Sequence, residues 1–154
     1  MKTGWFLPEP SSYSKEWIMK RLLLLAILIM AVVAGPTLAQ AGTAEVVKEK
    51  SRAAYKEYIK AGNLLAGEAQ YAQAAESYRK AISLEPREAE AYSLLGSALA
   101  EAGNYREAEE ALRKAVALKP NFAEGYYHLG NFLKSQGKTS EAEEAFRKAK
   151  QYRR

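Results

Sequence analysis

The sequence predicts an all-α solenoid of three antiparallel helix pairs, and three observations carry that prediction. The first is a period of 34 residues that sets Gly62, Gly96 and Gly130 in register, together with Tyr58, Tyr92 and Tyr126. The same step relates Ala74, Ala108 and Ala142, then Ala81, Ala115 and Ala149, and makes one large apolar site of Tyr78, Leu112 and Phe146. The second is the helical spacing of the apolar residues inside each block. The third is punctuation, with Pro86 and Pro120 closing the first two blocks. A fixed period of this length marks a stack in which each unit buries its apolar face only against its neighbours.

The second block shows the unit most clearly. Tyr92, Leu95, Gly96 and Leu99 fall on one face of a helix. Ala102, Gly103 and Asn104 interrupt it, and Gly103 can take the positive φ that ends a helix cheaply. Tyr105, Ala108, Leu112, Ala115 and Val116 make a second stripe, which Pro120 terminates. Asn121 is then the expected N-cap of the next helix. Loops this short force the two helices antiparallel. A glycine inside a helix costs about 0.5–1 kcal/mol against alanine. Its return at Gly62, Gly96 and Gly130 implies a packing gain that offsets the cost.

The residues in register carry a family resemblance. Tyr92-x-x-Leu95-Gly96 with Ala108, Leu112, Ala115 and Pro120 resembles the tetratricopeptide repeat, and Tyr126-x-x-Leu129-Gly130 with Ala142, Phe146 and Ala149 repeats it. Tyr58-x-x-Ala61-Gly62 with Ala74, Tyr78, Ala81 and Pro86 is a looser copy. Tyr replaces the usual Trp in each block, and Ala69 stands where the other copies have Gly103 and Gly137. The resemblance implies a right-handed superhelical stack with repeats at 55–88, 89–122 and 123–154. It also implies that Gly96 faces Ala108 across its pair. A weak apolar stripe of Val46, Val47 and Ala54 reads as a helical extension at 42–54 that runs into the first helix.

Upstream, Lys20 and Arg21 precede thirteen unbroken apolar residues, Leu22 to Ala34, and Gly35-Pro36 ends the run. Ala39-Gln40-Ala41 then offers small residues at both positions a signal peptidase reads. This is the pattern of a bacterial-style secretory signal over 19–41, with cleavage expected after Ala41 or Ala39. The run is short for a spanning helix, which needs about 20 residues. Residues 1–18 hold Pro8, Pro10, Ser11, Ser12 and Ser14 and are expected to lack structure. Met1 and Met19 both stand as start positions. The expected location is the periplasm or the cell exterior. The alternative is an uncleaved leader that anchors the chain in the inner membrane, with its repeats outside the cytoplasm and in contact with the membrane only through that leader.

Composition restricts the chemistry. The chain has one histidine, His128, and neither cysteine nor aspartate, so disulfides and thiol catalysis are absent. No His-Glu metal pair, serine elbow or phosphate-cradling glycine loop appears. Glu109-Glu110 and Glu143-Glu144 recur at equivalent places, which reads as solvated helix faces. The reading is non-catalytic, with no cofactor, no metal and no catalytic residue. The formal charge of +5 falls when Lys2, Lys15, Lys20 and Arg21 leave against Glu9 and Glu16. The remaining charges alternate in sign along helices, which suits i,i+4 pairing and argues against nucleic acid as a partner.

The candidate site follows from helical stepping. Opposite the core stripe of each first helix stand Lys56, Ile59, Lys60, Asn63 and Gly67 in the first block, and Glu90, Ser93, Leu94, Ser97 and Glu101 in the second. Glu124, Tyr127, His128, Asn131 and Lys134 follow in the third. The resemblance implies that these faces line a concave groove holding a peptide segment or helix of another protein. Tyr127, His128 and Asn131 make the most suggestive cluster, an aromatic body with polar tips. The family's basic clamp for a terminal carboxylate, found in co-chaperones of the large heat-shock proteins, is mostly missing. Asn63 matches one of its positions, while Ile59, Leu94, Glu90, Glu124 and His128 occupy others. No binding of such tails is expected. Two further readings stay open: an assembly factor docking a larger envelope complex, and self-association through apolar surface near Phe146 and Tyr152 at the open end of the stack.

Overall fold

The computed structural model describes residues 15–153, except for the side chains of residues 17, 27, 28 and 30–41. Among the described residues all regular structure is α-helical: α1 (Lys15–Gly67), α2 (Tyr71–Leu84), α3 (Ala89–Glu101), α4 (Tyr105–Leu118), α5 (Ala123–Ser135) and α6 (Thr139–Tyr152). The chain divides into two units, Met1–Val47 and Lys48–Arg154. In the first unit Ile18, Met19, the four leucines Leu22 to Leu25, and Ile29 are exposed on α1. Among the described residues no helix is long and apolar enough to cross a membrane. The cleavage residues Ala39 and Ala41 lie outside the described side chains, and residues 1–14 lie outside the description altogether. Lys15–Ile18, expected without structure, belong to the first turn of α1. The prolines and serines of that leader all precede Lys15, so no breaker falls within the turn.

The second unit is the stack. The last turns of α1 pair with α2, α3 pairs with α4, and α5 pairs with α6; α3 and α5 lie side by side, and α2 and α4 each pack on the following pair. Close approach within each pair has one repeated cause. A Cβ on Gly62 would collide with the Tyr78 ring, and one on Gly96 would stand 2.5 Å from Leu112 Cγ and 3.0 Å from the Ala108 carbonyl oxygen. One on Gly130 would stand 2.7 Å from the Phe146 ring. Each glycine thus seats the large residue sixteen positions on. Ala74, Ala81, Ala108 and Ala115 are fully buried around these contacts, with Tyr78 and Leu112 at the centre. The Tyr78 phenol, whose pKa is raised by burial, donates a 2.8 Å hydrogen bond to Asn63 Oδ1.

The turn inside each pair also repeats. The backbone N–H groups of Gln70, Asn104 and Lys138 bond the carbonyls of Leu65, Leu99 and Leu133 at 2.8–2.9 Å. That six-to-one bond needs a left-handed residue just before it. Gly103 (φ 83°) and Gly137 (φ 73°) supply it, and Ala69 adopts the same conformation at φ 59°. A non-glycine residue there costs about 1–2 kcal/mol. Asn121 does not cap α5, because the N-cap position falls on Phe122 and no side-chain cap bond forms. The other N-caps in the stack, Gln70, Glu88, Asn104 and Lys138, likewise make none. The helices are held by packing of their apolar faces, the usual source of helix stability in proteins.

Ion pairs join the second helices. Arg79 bonds Glu107 at 2.6 Å, and one period later Arg113 bonds Glu141 at 2.9 Å. Glu109, expected on a solvated face, is half-buried and takes both Lys138 at 2.8 Å and Arg113 at 2.9 Å. The hydrogen bonds from Lys138 and Arg113 hold its carboxyl below the usual carboxylate range. At the end of the stack Tyr152 is half-buried against Tyr126, with ring centroids 5.7 Å apart, and Phe146 is half-buried beside Tyr127.

Four outcomes follow for stability, each read by urea denaturation. Gly96→Ala is expected to lose about 1–2 kcal/mol, since overpacking of about 1–3 exceeds the gain in helix propensity. Gly130→Ala is expected to lose less, because half-buried Phe146 has room to give way where Leu112 does not. Ala69→Gly is expected to gain about 0.5–1 kcal/mol by relieving the left-handed alanine. Glu109→Gln is expected to lose about 0.5–1 kcal/mol near neutral pH. A carboxylate with a lowered folded pKa stabilises above its unfolded pKa. The Glu109→Gln deficit should therefore shrink as pH falls through the folded value and vanish below it.

Candidate functional site

Three first helices, the last turns of α1 with α3 and α5, turn one side away from their partner helices. Most of the residues that stepping places there are exposed: Lys56 and Lys60 on α1, Glu90 and Glu101 at the two ends of α3, and Asn131 and Lys134 on α5. Asn63 is exposed as well, but its oxygen is engaged by Tyr78, so it braces the scaffold and keeps only its amide N–H groups for a ligand. Leu94 is half-buried and packs against the core. Two assignments to this face are corrected. Ile59 is buried in the core cluster, and Ser93 is 1% exposed with no partner for its hydroxyl. Both stand one helical step too close to the following pair, which covers them.

The polar residues meet between α3 and α5. Ser97 Oγ and His128 Nδ1 share a hydrogen bond of 2.9 Å. Glu124 Oε1 stands 3.8 Å from His128 Nε2, beyond hydrogen-bond distance, and forms an ion pair only with the protonated ring. Around this pair lie two concavities. One, of about 460 Å³, gathers Ser97, Glu101, His128 and Asn131 over a floor of Leu112 and Phe132. The other, of about 840 Å³, lies between α5 and α6, where Tyr127 and His128 face Phe146, Ala149, Lys150 and Arg153. His128 is the wall between them. Lys56, Lys60, Asn63, Glu90, Leu94 and Lys134 line neither concavity.

Stepping along single helices missed five residues of the smaller cleft: Ala100, Tyr105, Leu112, Phe132 and Ser135. One signal was available. Phe132 stands one and two periods from Ala98 and Leu64, so the third block alone carries an aromatic ring at that place. Among the described residues no group of His and Glu is placed to hold a metal ion. The two glutamate pairs project to solvent or into ion pairs on α4 and α6, away from the cleft.

The architecture defines a helical-repeat protein whose first helices present an open polar face with an apolar floor. Residues 59–121 and 94–153 match the tetratricopeptide repeat family, more than half of the chain, and the chain belongs to that family. Among solved structures it is similar to MamA at 34% identity, covering 62% of this chain and 56% of that one, with a TM-score of 0.56. The chain therefore spans little more than half the length of MamA. The Arabidopsis OM64 TPR domain is similar at 25% identity, covering 64% of this chain and 82% of that one, with a TM-score of 0.60. The second TPR of Spaghetti (RPAP3), solved bound to the HSP90 peptide SRMEEVD, is 19% identical and covers 73% of this chain and 97% of that one. Its TM-score of 0.66 shows a shared fold. No curated protein matches the chain by sequence.

The Ser97–His128 bond ties α3 to α5 across the cleft. Ser97→Ala is expected to lower stability by about 0.5–1.5 kcal/mol, the range for one hydrogen bond. Asn131→Ala, which removes only an exposed side chain, should stay within about 0.5 kcal/mol of the parent. Thermal or urea unfolding of the two variants side by side checks both.

Proposed function

We propose that this chain is an exported, non-catalytic interaction module that holds a peptide segment or helix of another protein in the groove of its first helices. One observation carries the reading: Ser97, Glu101, His128 and Asn131 converge on an apolar-floored cleft that no other part of the stack covers. Such a surface combines buried apolar area for affinity with a few placed polar groups for orientation. The HSP90 peptide held by the related Spaghetti domain supports the mode of binding. Its acidic sequence does not suit this groove, where Glu90 and Glu124 stand at positions of the basic clamp. Export rests on the basic and apolar leader of residues 20–34 and the Ala39-Gln40-Ala41 end, with the periplasm or cell exterior as destination.

A second reading is favoured by the exposed leucines Leu22 to Leu25 on α1. In it the leader stays attached and tethers an assembly factor to the inner membrane, with the repeats docking a larger envelope complex. Protease shaving of intact cells with the mass of the cellular protein separates the two. A third is favoured by the α5–α6 concavity, whose Phe146 and Ala149 could seat another copy of the chain.

The deciding experiment is affinity capture from envelope extract with the C-terminally tagged full chain as bait. A bait carrying Tyr127→Ala, His128→Ala and Asn131→Ala runs beside it, both checked for equal helicity and melting. A partner held by the parent and lost by the variant is the expected result. A partner held equally by both moves the site to the convex side or the end of the stack. A light-scattering series showing association of the chain, with no partner captured, supports the self-associating reading instead.

A further inference from the structure

We infer that the cleft between α3 and α5 is a pocket for one long basic side chain, arginine or lysine, of the bound segment. The inference rests on the groove reading above and names the chemistry of its occupant. The cleft, about 460 Å³, has Leu112 and Phe132 as its floor and a single carboxylate, Glu101, at its rim. Arginine and lysine are divided in the same way, with an apolar stem that lies along hydrocarbon and a charged head that needs an anion or acceptors.

The electrostatics point the same way. Glu101 is the last residue of α3, where the helix already carries partial negative charge. Among the described residues it is exposed and makes no ion pair. Ser135, also on the rim, is the last residue of α5, so the negative ends of two helices line one cleft. No lysine or arginine lines it; Lys134, in the same last turn of α5, lies outside the lining. His128 is engaged by Ser97. Ser135 Oγ donates to the Phe132 carbonyl and accepts a long 3.5 Å bond from Gln136 Nε2, which leaves one lone pair to accept from a guanidinium or ammonium, and Asn131 Oδ1 can accept as well. Tyr105, 51% exposed at the start of α4, offers a ring face within the lining for a cation.

The scaffold does not dictate this constellation. One period either side of Glu101 stand Gly67 and Ser135, and either side of Tyr105 stand Tyr71 and Thr139. A carboxylate at the end of the helix is therefore particular to the second block, as the aromatic floor residue Phe132 is to the third. An acidic side chain entering the cleft would meet Glu101 and two negative helix ends with no cation to receive it.

The test is selection from a random decapeptide display library against the purified full chain and its Glu101→Gln and Glu101→Lys variants. The parent is expected to select peptides with arginine or lysine at one shared position. Glu101→Gln should lose that preference, and Glu101→Lys should select aspartate or glutamate there. For one selected peptide, replacing the basic residue by norleucine should weaken binding about tenfold to a hundredfold in fluorescence anisotropy, the range for a hydrogen bond to a charged group. The same replacement should have little further effect in Glu101→Gln, and the parent's preference should weaken with added salt. Peptides selected without a basic position, or with an unchanged basic preference in Glu101→Gln, would overturn the pocket and leave the groove standing. No peptide selected by any of the three proteins would remove the groove reading, and this inference with it. Glu101 is exposed, so equal melting of all three proteins is expected and separates a binding effect from misfolding.

Discussion

Everything in the stack depends on how closely the two helices of each pair approach. Gly62, Gly96 and Gly130 give up helix stability so that a ring or a leucine from the partner helix can lie against bare backbone. The flanking alanines, Ala74 and Ala81 and their equivalents, keep the rest of that contact thin. With the pair spacing set this way, the large residue at each step is driven into the pair's own centre. Tyr78 and Leu112 are then unavailable to the outer surfaces, while Phe146, at the last step, stays half-buried. The polar and half-exposed side chains of the first helices are left to define what the molecule shows to others.

That division explains how the cleft arises. α3 and α5 run side by side, and the cleft opens between them above the buried Leu112. Phe132 fills part of the gap, and the polar residues of both helices close over its sides. The Ser97–His128 bond fixes the width at one end. Glu101 and Ser135 mark the other. The floor is therefore made by residues whose first duty is packing, and the rim by residues free of that duty.

The period of 34 makes the repeat architecture, the glycine contacts and the left-handed turns at Gly103 and Gly137 legible in the amino-acid sequence itself. Those features recur, and recurrence is visible in one dimension. The candidate site is legible there only by halves. Helical stepping finds a face on one helix, and it correctly separates Glu101, His128 and Asn131 from the core stripe. It cannot see how far the next pair reaches across, which is why it assigns Ile59 and Ser93 to an open face that is in fact covered. It also cannot join residues from different blocks, so it misses Tyr105 and Phe132 although each is conspicuous in its own helix. Asn121 fails as a cap because the chain leaving Pro120 spends one more residue, placing Phe122 at the helix entrance.

The ion pairs that link α2 to α4 and α4 to α6 sit on the second helices, across the stack from the groove. Charged pairs this exposed are screened by ordinary salt. The links between successive second helices therefore weaken as ionic strength rises, while the glycine-seated contacts inside each pair, which carry no charge, do not.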